Sequence, residues 1–273
     1  MLKAMFLGRL AGKKKPARLP RQSPPSALAR AYRTRIMHLL DKMMQAFRQD
    51  TLPKLDALSA EFYNDGIDDD LASLFDALTI RVRSIFNRQT VNELIKPVAH
   101  QIASFQANQL NKQLQSVIGV DVVGAEPWLE KEIALFTAEN AALIKTLPEQ
   151  FVNELEPLIA RHFAAGGRFE VLAQLIEDRY QVAAGRAKVI AQDQAQKFFA
   201  SLNEVRQKEL GITQFTWITE KDEKVRATHK LRDGKVMSWE NPAGGILPGE
   251  EVNCRCEAEP YLEDLLKARG LVD

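Results

Sequence analysis

The chain has 273 residues, 45% of them hydrophobic and 27% charged, and a formal net charge of +1. This is the composition of a soluble globular protein with room for two domains, and it excludes strong whole-chain attraction to nucleic acid or membrane. No apolar run approaches the ~20 residues that span a bilayer, and two cysteines cannot build a disulfide framework.

Residues 1–25 contain Lys3, Arg9, Lys13, Lys14, Lys15, Arg18 and Arg21 and no acid. Pro16, Pro20, Pro24 and Pro25 forbid a regular helix there. Arg9 interrupts the apolar start, and charge follows rather than precedes it, so the segment reads as a disordered cytosolic tail and not a signal peptide. Lys13, Lys14, Lys15 and Arg18 are its expected contacts to DNA or an acidic protein surface.

From Ser26 the pattern turns helical. Leu28, Tyr32, Ile36, Leu39, Met43 and Phe47 recur every three or four residues, which puts them on one face. A second helix is expected from about Asp70, with Leu71, Leu74, Leu78, Val82 and Ile85 as its apolar stripe and acids at its positive end. Others are expected over 90–117, broken or kinked near Pro97, over 126–146 and over 148–163, with Gly166 and Gly167 as a stop. The next stretch predicts two helices hinged near Gly185. Met43 and Met44 read as core filling, and His38, His100 and His162 as isolated histidines without a ligand-spaced partner.

After Gly211 the texture changes. "ITQFTWIT" alternates and is rich in Ile, Thr, Phe and Trp, so it predicts a strand. A charged segment, a turn at Arg232-Asp233-Gly234, a second short strand in "KVMSW" and a Gly/Pro loop follow. "CRCEAEP" then runs through a short extended piece into a terminal helix. The expected fold is mainly α: a helical N-terminal body over 26–165 and a small irregular α+β C-terminal module over 166–273.

Both cysteines lie in that module, at Cys254 and Cys256, and His229 precedes them. Neighbouring thiols so close in sequence suit a reducing compartment, as free thiols or as metal ligands, better than a relaxed disulfide. Alternate residues of an extended strand project to one side, so a Cys-x-Cys pair with His229 offers three zinc ligands. Asp222 or Asp233 would supply a fourth. The competing reading makes the thiols small buried hydrophobes and His229 a loop-pinning hydrogen bonder. A metal-dependent nuclease of HNH-like type lacks a second histidine here. Cysteine nucleophile chemistry, with His229 as base and Arg255 lowering a thiol pKa, lacks a group to orient the histidine.

One longer pattern unites these residues. Trp217, Thr219, Asp222, Val225, Arg226, His229, Gly234, Pro248, Gly249, Asn253, Cys254, Arg255 and Cys256 resemble the C-terminal signature of the phage head morphogenesis family. Its members are minor head proteins similar to the F protein of phage Mu. Arg186, Ala191 and Gln194 fit its helical lead-in, and the resemblance covers roughly residues 168–260. The longer "ENPAGGI" loop departs from the pattern.

The resemblance implies a virion component of a tailed phage or prophage, in the head interior or at the portal vertex and in the host cytoplasm during assembly. It implies portal, major capsid or scaffold partners, a role in head assembly or DNA packaging, no membrane and no enzymatic activity. A DNA-associated protein ejected with the genome is the binding-module alternative. Within the module, Trp217 anchors a small core and Asp222 is expected to pair with Arg226 one helical turn away. Gly234, Asn253 and Arg255 complete the structural motif. His229, Cys254 and Cys256 would clamp a module too small to hold itself by burial, with zinc as the candidate cofactor.

Overall fold

The computed structural model describes residues 19–61, 67–118 and 123–263. Lys13, Lys14, Lys15 and Arg18, and all but the start of the expected terminal helix, lie outside them. Helix α1 is Ser26–Ala46, followed by a π-helical turn Phe47–Thr51 and then α2, Leu52–Glu61, and α3, Ile67–Ile85. Helices α4 (Arg88–Ile118), α5 (Leu129–Ala164) and α6 (Phe169–Glu209) follow. The remainder is β1 (Gln214–Ile218), a single helical turn α7 (Ala227–Lys230), β2 (Val236–Ser238), a 3-10 turn Ala243–Gly245, and β3 (Glu257–Pro260). The architecture is mainly α with one small three-stranded sheet.

The periodic residues are the buried ones. Tyr32, Ile36, Leu39, Met43 and Phe47 are buried along α1 and the π turn, while Leu28 is only half-buried. Leu71, Leu74, Phe75, Leu78 and Val82 form the inner stripe of α3, with Ile85 half-buried. Asn87 caps α4: its side-chain oxygen accepts the Thr90 N–H at 3.0 Å, a standard first-turn device.

Two expected breaks do not occur. Helix α5 runs unbroken through Pro148 and Pro157, where two helices were expected. Leu147, Phe151, Val152, Leu155 and Ile159 are all buried around those prolines, and burial on that scale outweighs the ~3 kcal/mol a helix-interior proline costs. Helix α6 likewise passes through Gly185 without a hinge. A Cβ there would meet nothing within 4 Å, so the glycine only lowers local propensity by about 1 kcal/mol. The stop after α5 is present: Gly167 N–H bonds to His162 O and Gly166 N–H to Phe163 O at 2.9 and 2.8 Å, the paired bonds of a Schellman cap.

Packing divides the chain into two compact units that interleave in sequence. One holds the described parts of 1–29, 98–134 and 192–273; the other holds those of 30–97 and 135–191. In the second, Tyr32 Oη donates to Asn140 Oδ1 at 2.9 Å and Phe47 meets Phe151 edge-on.

The first unit contains the sheet. Its order is β2-β1-β3, antiparallel throughout, with Phe215 opposite Met237 and Pro260, and Trp217 opposite Ala258. Gly211, at φ +81°, turns the chain from α6 into β1, a backbone state that glycine adopts without strain. Phe215, Trp217, Met237, Trp239, Cys254, Cys256 and Ala258 form the sheet's own core.

Residues 19–25, expected within the disordered tail, are packed against this unit instead. Gln22 is buried. Its amide donates to Gln113 Oε1 at 2.7 Å and Asn203 Oδ1 at 3.0 Å, and its backbone N–H to Glu257 Oε1 at 3.1 Å. Gln106 and Gln207 also donate to Asn203 Oδ1, at 2.9 and 3.2 Å, while Asn203 Nδ2 donates to Ala258 O at 2.9 Å. Arg206 extends the network through a two-toothed bond to Glu126, at 2.6 and 2.7 Å. Buried amides lose water, so each must find a protein partner, and together they join the strap at 19–25, α4, α6 and β3.

Replacing the hub tests this. Asn203→Ala should lower unfolding free energy by about 1–3 kcal/mol, the cost of stranding buried partners, read from urea denaturation. A loss within error of zero would show that the network is not load-carrying.

Candidate functional site

The signature residues occupy the edge of the sheet unit. Arg226 precedes α7, whose single turn carries His229 inward. Gly234, at φ +76°, closes the turn to β2, its N–H bonding to Trp217 O at 2.8 Å. The Gly/Pro loop then returns the chain to Cys254 and Cys256, just before β3.

His229, Cys254 and Cys256 come together and are buried, at 2%, 3% and 4% exposure. Cys254 Sγ lies 3.6 Å and Cys256 Sγ 3.4 Å from the same imidazole atom, Nδ1. Both thiols are free. Trp217 packs edge-on against the imidazole, with ring centroids 5.1 Å apart, and Arg232 covers that indole at 5.0 Å. A hydrogen bond between the thiols pulls Cys254 down in pKa; the same bond and burial push Cys256 up.

The other face of the imidazole meets a carboxylate. His229 Nε2 is 2.6 Å from Glu251 Oε2, close but out of line for a hydrogen bond, and neither atom has a hydrogen-bond partner. Arg226 steadies this loop, donating to Val252 O at 2.8 Å with its Nε 3.8 Å from Glu251 Oε2. Beside the imidazole and thiols lies a small cleft, lined also by Glu220, Lys224 and Asn253, with about 20 Å³ of free volume for water. That is enough for one molecule.

The expected Asp222–Arg226 pair does not form. Residues 222–225 are turn and bend, and helix starts only at Ala227, so Asp222 and Arg226 do not share a helix face. Asp222 instead takes the Arg255 guanidinium, 2.9 and 2.8 Å from its two oxygens, which holds its carboxyl below the usual range. Arg255 is thus engaged by a carboxylate. Asp233 is engaged too, accepting from Thr219 N and Oγ1 at 2.8 and 3.0 Å. Neither aspartate joins the cluster, which among the described residues holds His229, Cys254 and Cys256.

Two signature positions have backbone reasons. Asn253 has φ +57°, in the left-handed region that asparagine tolerates better than most residues. Its N–H is received by the buried Asp193 of α6 at 2.8 Å. Gly249 has φ +87°, and a Cβ there would stand 2.5 Å from Ala200 Cβ. Its N–H points at Cys254 Sγ, 3.4 Å away. Glu251 and Asp193 were not singled out from sequence: an acid in a Glu-Glu pair and one inside a polar helix carry no local pattern.

Residues 153–259 match the model of the family described as Phage Mu protein F like protein. An uncharacterized protein of Haemophilus influenzae (strain ATCC 51907 / DSM 11121 / KW20 / Rd) is 30% identical over 160 residues, covering 57% of this chain and 36% of the relative. The aligned part is therefore about a third of that relative's length. No solved structure matches. Among the described residues, no helix is long and apolar enough to cross a membrane.

The glycine account is testable in one pair of variants. Gly249→Ala should cost about 2–4 kcal/mol, from strained backbone and overpacking together. Gly245→Ala, at φ +68° with open space around it, should cost about 1 kcal/mol. Thermal and urea unfolding of the two would separate them; equal losses would remove the Ala200 contact as the cause.

Proposed function

We propose that this chain is a minor head protein of a tailed phage or prophage. It docks on the portal or on capsid or scaffold protein and acts in head assembly or DNA packaging. The observation that carries this is how the signature residues are used. Asn253 bonds to α6, Arg255 to Asp222, Arg226 to the loop carbonyl, and Gly249 fits against Ala200. Each spends its polar group on holding the module's shape, which is what a docking component needs.

Pull-down of tagged protein from infected or induced cells should co-purify the portal protein in stoichiometric amount. Recovery of the chain with neither portal nor capsid protein would contradict the proposal. Mass spectrometry of virions before and after ejection distinguishes a fixed head component, which stays, from a protein that leaves with the genome.

The basic residues Lys13, Lys14, Lys15 and Arg18 would contact packaged DNA by neutralising phosphates, a salt-dependent interaction. Since Leu19 and Gln22 are packed, the proper test removes residues 1–18 only. The truncated protein should bind DNA more weakly at low salt with a flatter salt dependence; an unchanged binding curve would exclude the arm.

The water-sized cleft at His229 favours a second reading, metal-dependent phosphodiester hydrolysis. Plasmid cleavage in magnesium or manganese that disappears in His229→Ala would establish it and displace the structural one.

A further inference from the structure

We propose that His229, Cys254 and Cys256 bind one zinc ion, with Glu251 fixing the imidazole and a water completing the coordination. Zinc bonds of ~2.3 Å to sulfur and ~2.0 Å to nitrogen, at tetrahedral angles, set nitrogen-to-sulfur edges of roughly 3.5 Å. The two edges here are 3.6 and 3.4 Å, and all three donor atoms fall within 4.8 Å of one another.

Hydrogen bonding alone serves this geometry poorly. Imidazole Nδ1 offers one lone pair or one proton, yet two sulfurs crowd it. Only one of them can use it directly. A single cation between the three satisfies all of them, and two thiolates cancel its charge in a buried site.

The surroundings of the donors point the same way. Glu251 Oε2, 2.6 Å from Nε2, lies where a small shift of its carboxylate would take the Nε2 proton in a hydrogen bond and leave the Nδ1 lone pair toward the sulfurs. A carboxylate on the far nitrogen of a ligating histidine is the usual device for fixing tautomer and ring orientation. The Gly249 N–H, 3.4 Å from Cys254 Sγ, supplies a donor to a thiolate. Asp222 and Asp233, the acids expected to complete the set, are held by Arg255 and Thr219. The remaining position faces the cleft that has room for one water. Zinc displaces the two thiol protons to solvent, so uptake strengthens with rising pH.

The test titrates reduced, full-length protein with Co²⁺ and then with Zn²⁺, counting bound zinc by elemental mass spectrometry. The expected result is one equivalent of Co²⁺ with a thiolate charge-transfer band and intense visible bands of tetrahedral type, both removed by zinc. A cysteine variant also loses buried core, so Glu251→Gln gives a second reading. It leaves the three donors in place and should weaken metal affinity about 10–100-fold. Reduced protein with native circular dichroism that takes up no Co²⁺, or takes it up without a thiolate band, overturns the proposal. So does metal uptake unaltered in a folded Cys254→Ser/Cys256→Ser variant. Unchanged affinity in Glu251→Gln overturns the role given to Glu251.

Discussion

Two sulfurs facing one imidazole nitrogen are the constraint on which the sheet unit depends. A three-stranded sheet with strands of five, three and four residues is short for independent stability. Its core gains by recruiting Cys254 and Cys256 as buried residues alongside Trp217 and Phe215. The cluster also ties chain segments that are far apart in sequence: α7 supplies the imidazole, the run into β3 supplies the thiols, and the loop between them supplies Glu251. Closing the loop there sets the register in which β3 joins β1.

Around the cluster, charge and backbone geometry divide the work. Asp222 with Arg255, and Asp233 with Thr219, hold the two ends of the charged segment. Asn253 with Asp193 attaches the thiol turn to α6. On the other side of β3, Asn203 and its glutamines link the sheet to α4 and to the strap at Gln22, while burial pushes the Glu257 carboxyl up to about 7. The residues of the family signature are therefore spread over several interactions with one shared effect, a defined shape for the sheet unit.

Much of this was legible in the sequence, for physical reasons that differ by element. Helices α1 and α3 show their periodicity because each buries one face only. β1 shows alternation because Phe215 and Trp217 point into the core with Thr216 between them. The breaks expected at Pro148 and Gly185 were local inferences, overruled by burial along α5 and by open solvent around Gly185. His229, Cys254 and Cys256 stood out as rare residues at close spacing. The residues around them did not: Glu251 beside His229 and Asp193 beside Asn253 are ordinary surface-type acids, and Gln22, Gln106, Gln113 and Asn203 form a network with no sequence period. Arg226 shows the limit of reasoning by spacing, because i, i+4 pairing requires a helix that residues 222–226 do not form.

The central claim is that the imidazole–thiol cluster holds the sheet unit in shape. Hydrogen–deuterium exchange measured segment by segment, on wild type and on a Cys254→Ala/Cys256→Ala variant, tests it most directly. The account predicts that amides of β1 and β3 lose most of their protection while those of residues 135–159 keep theirs. Unchanged protection in β1 and β3 would contradict it.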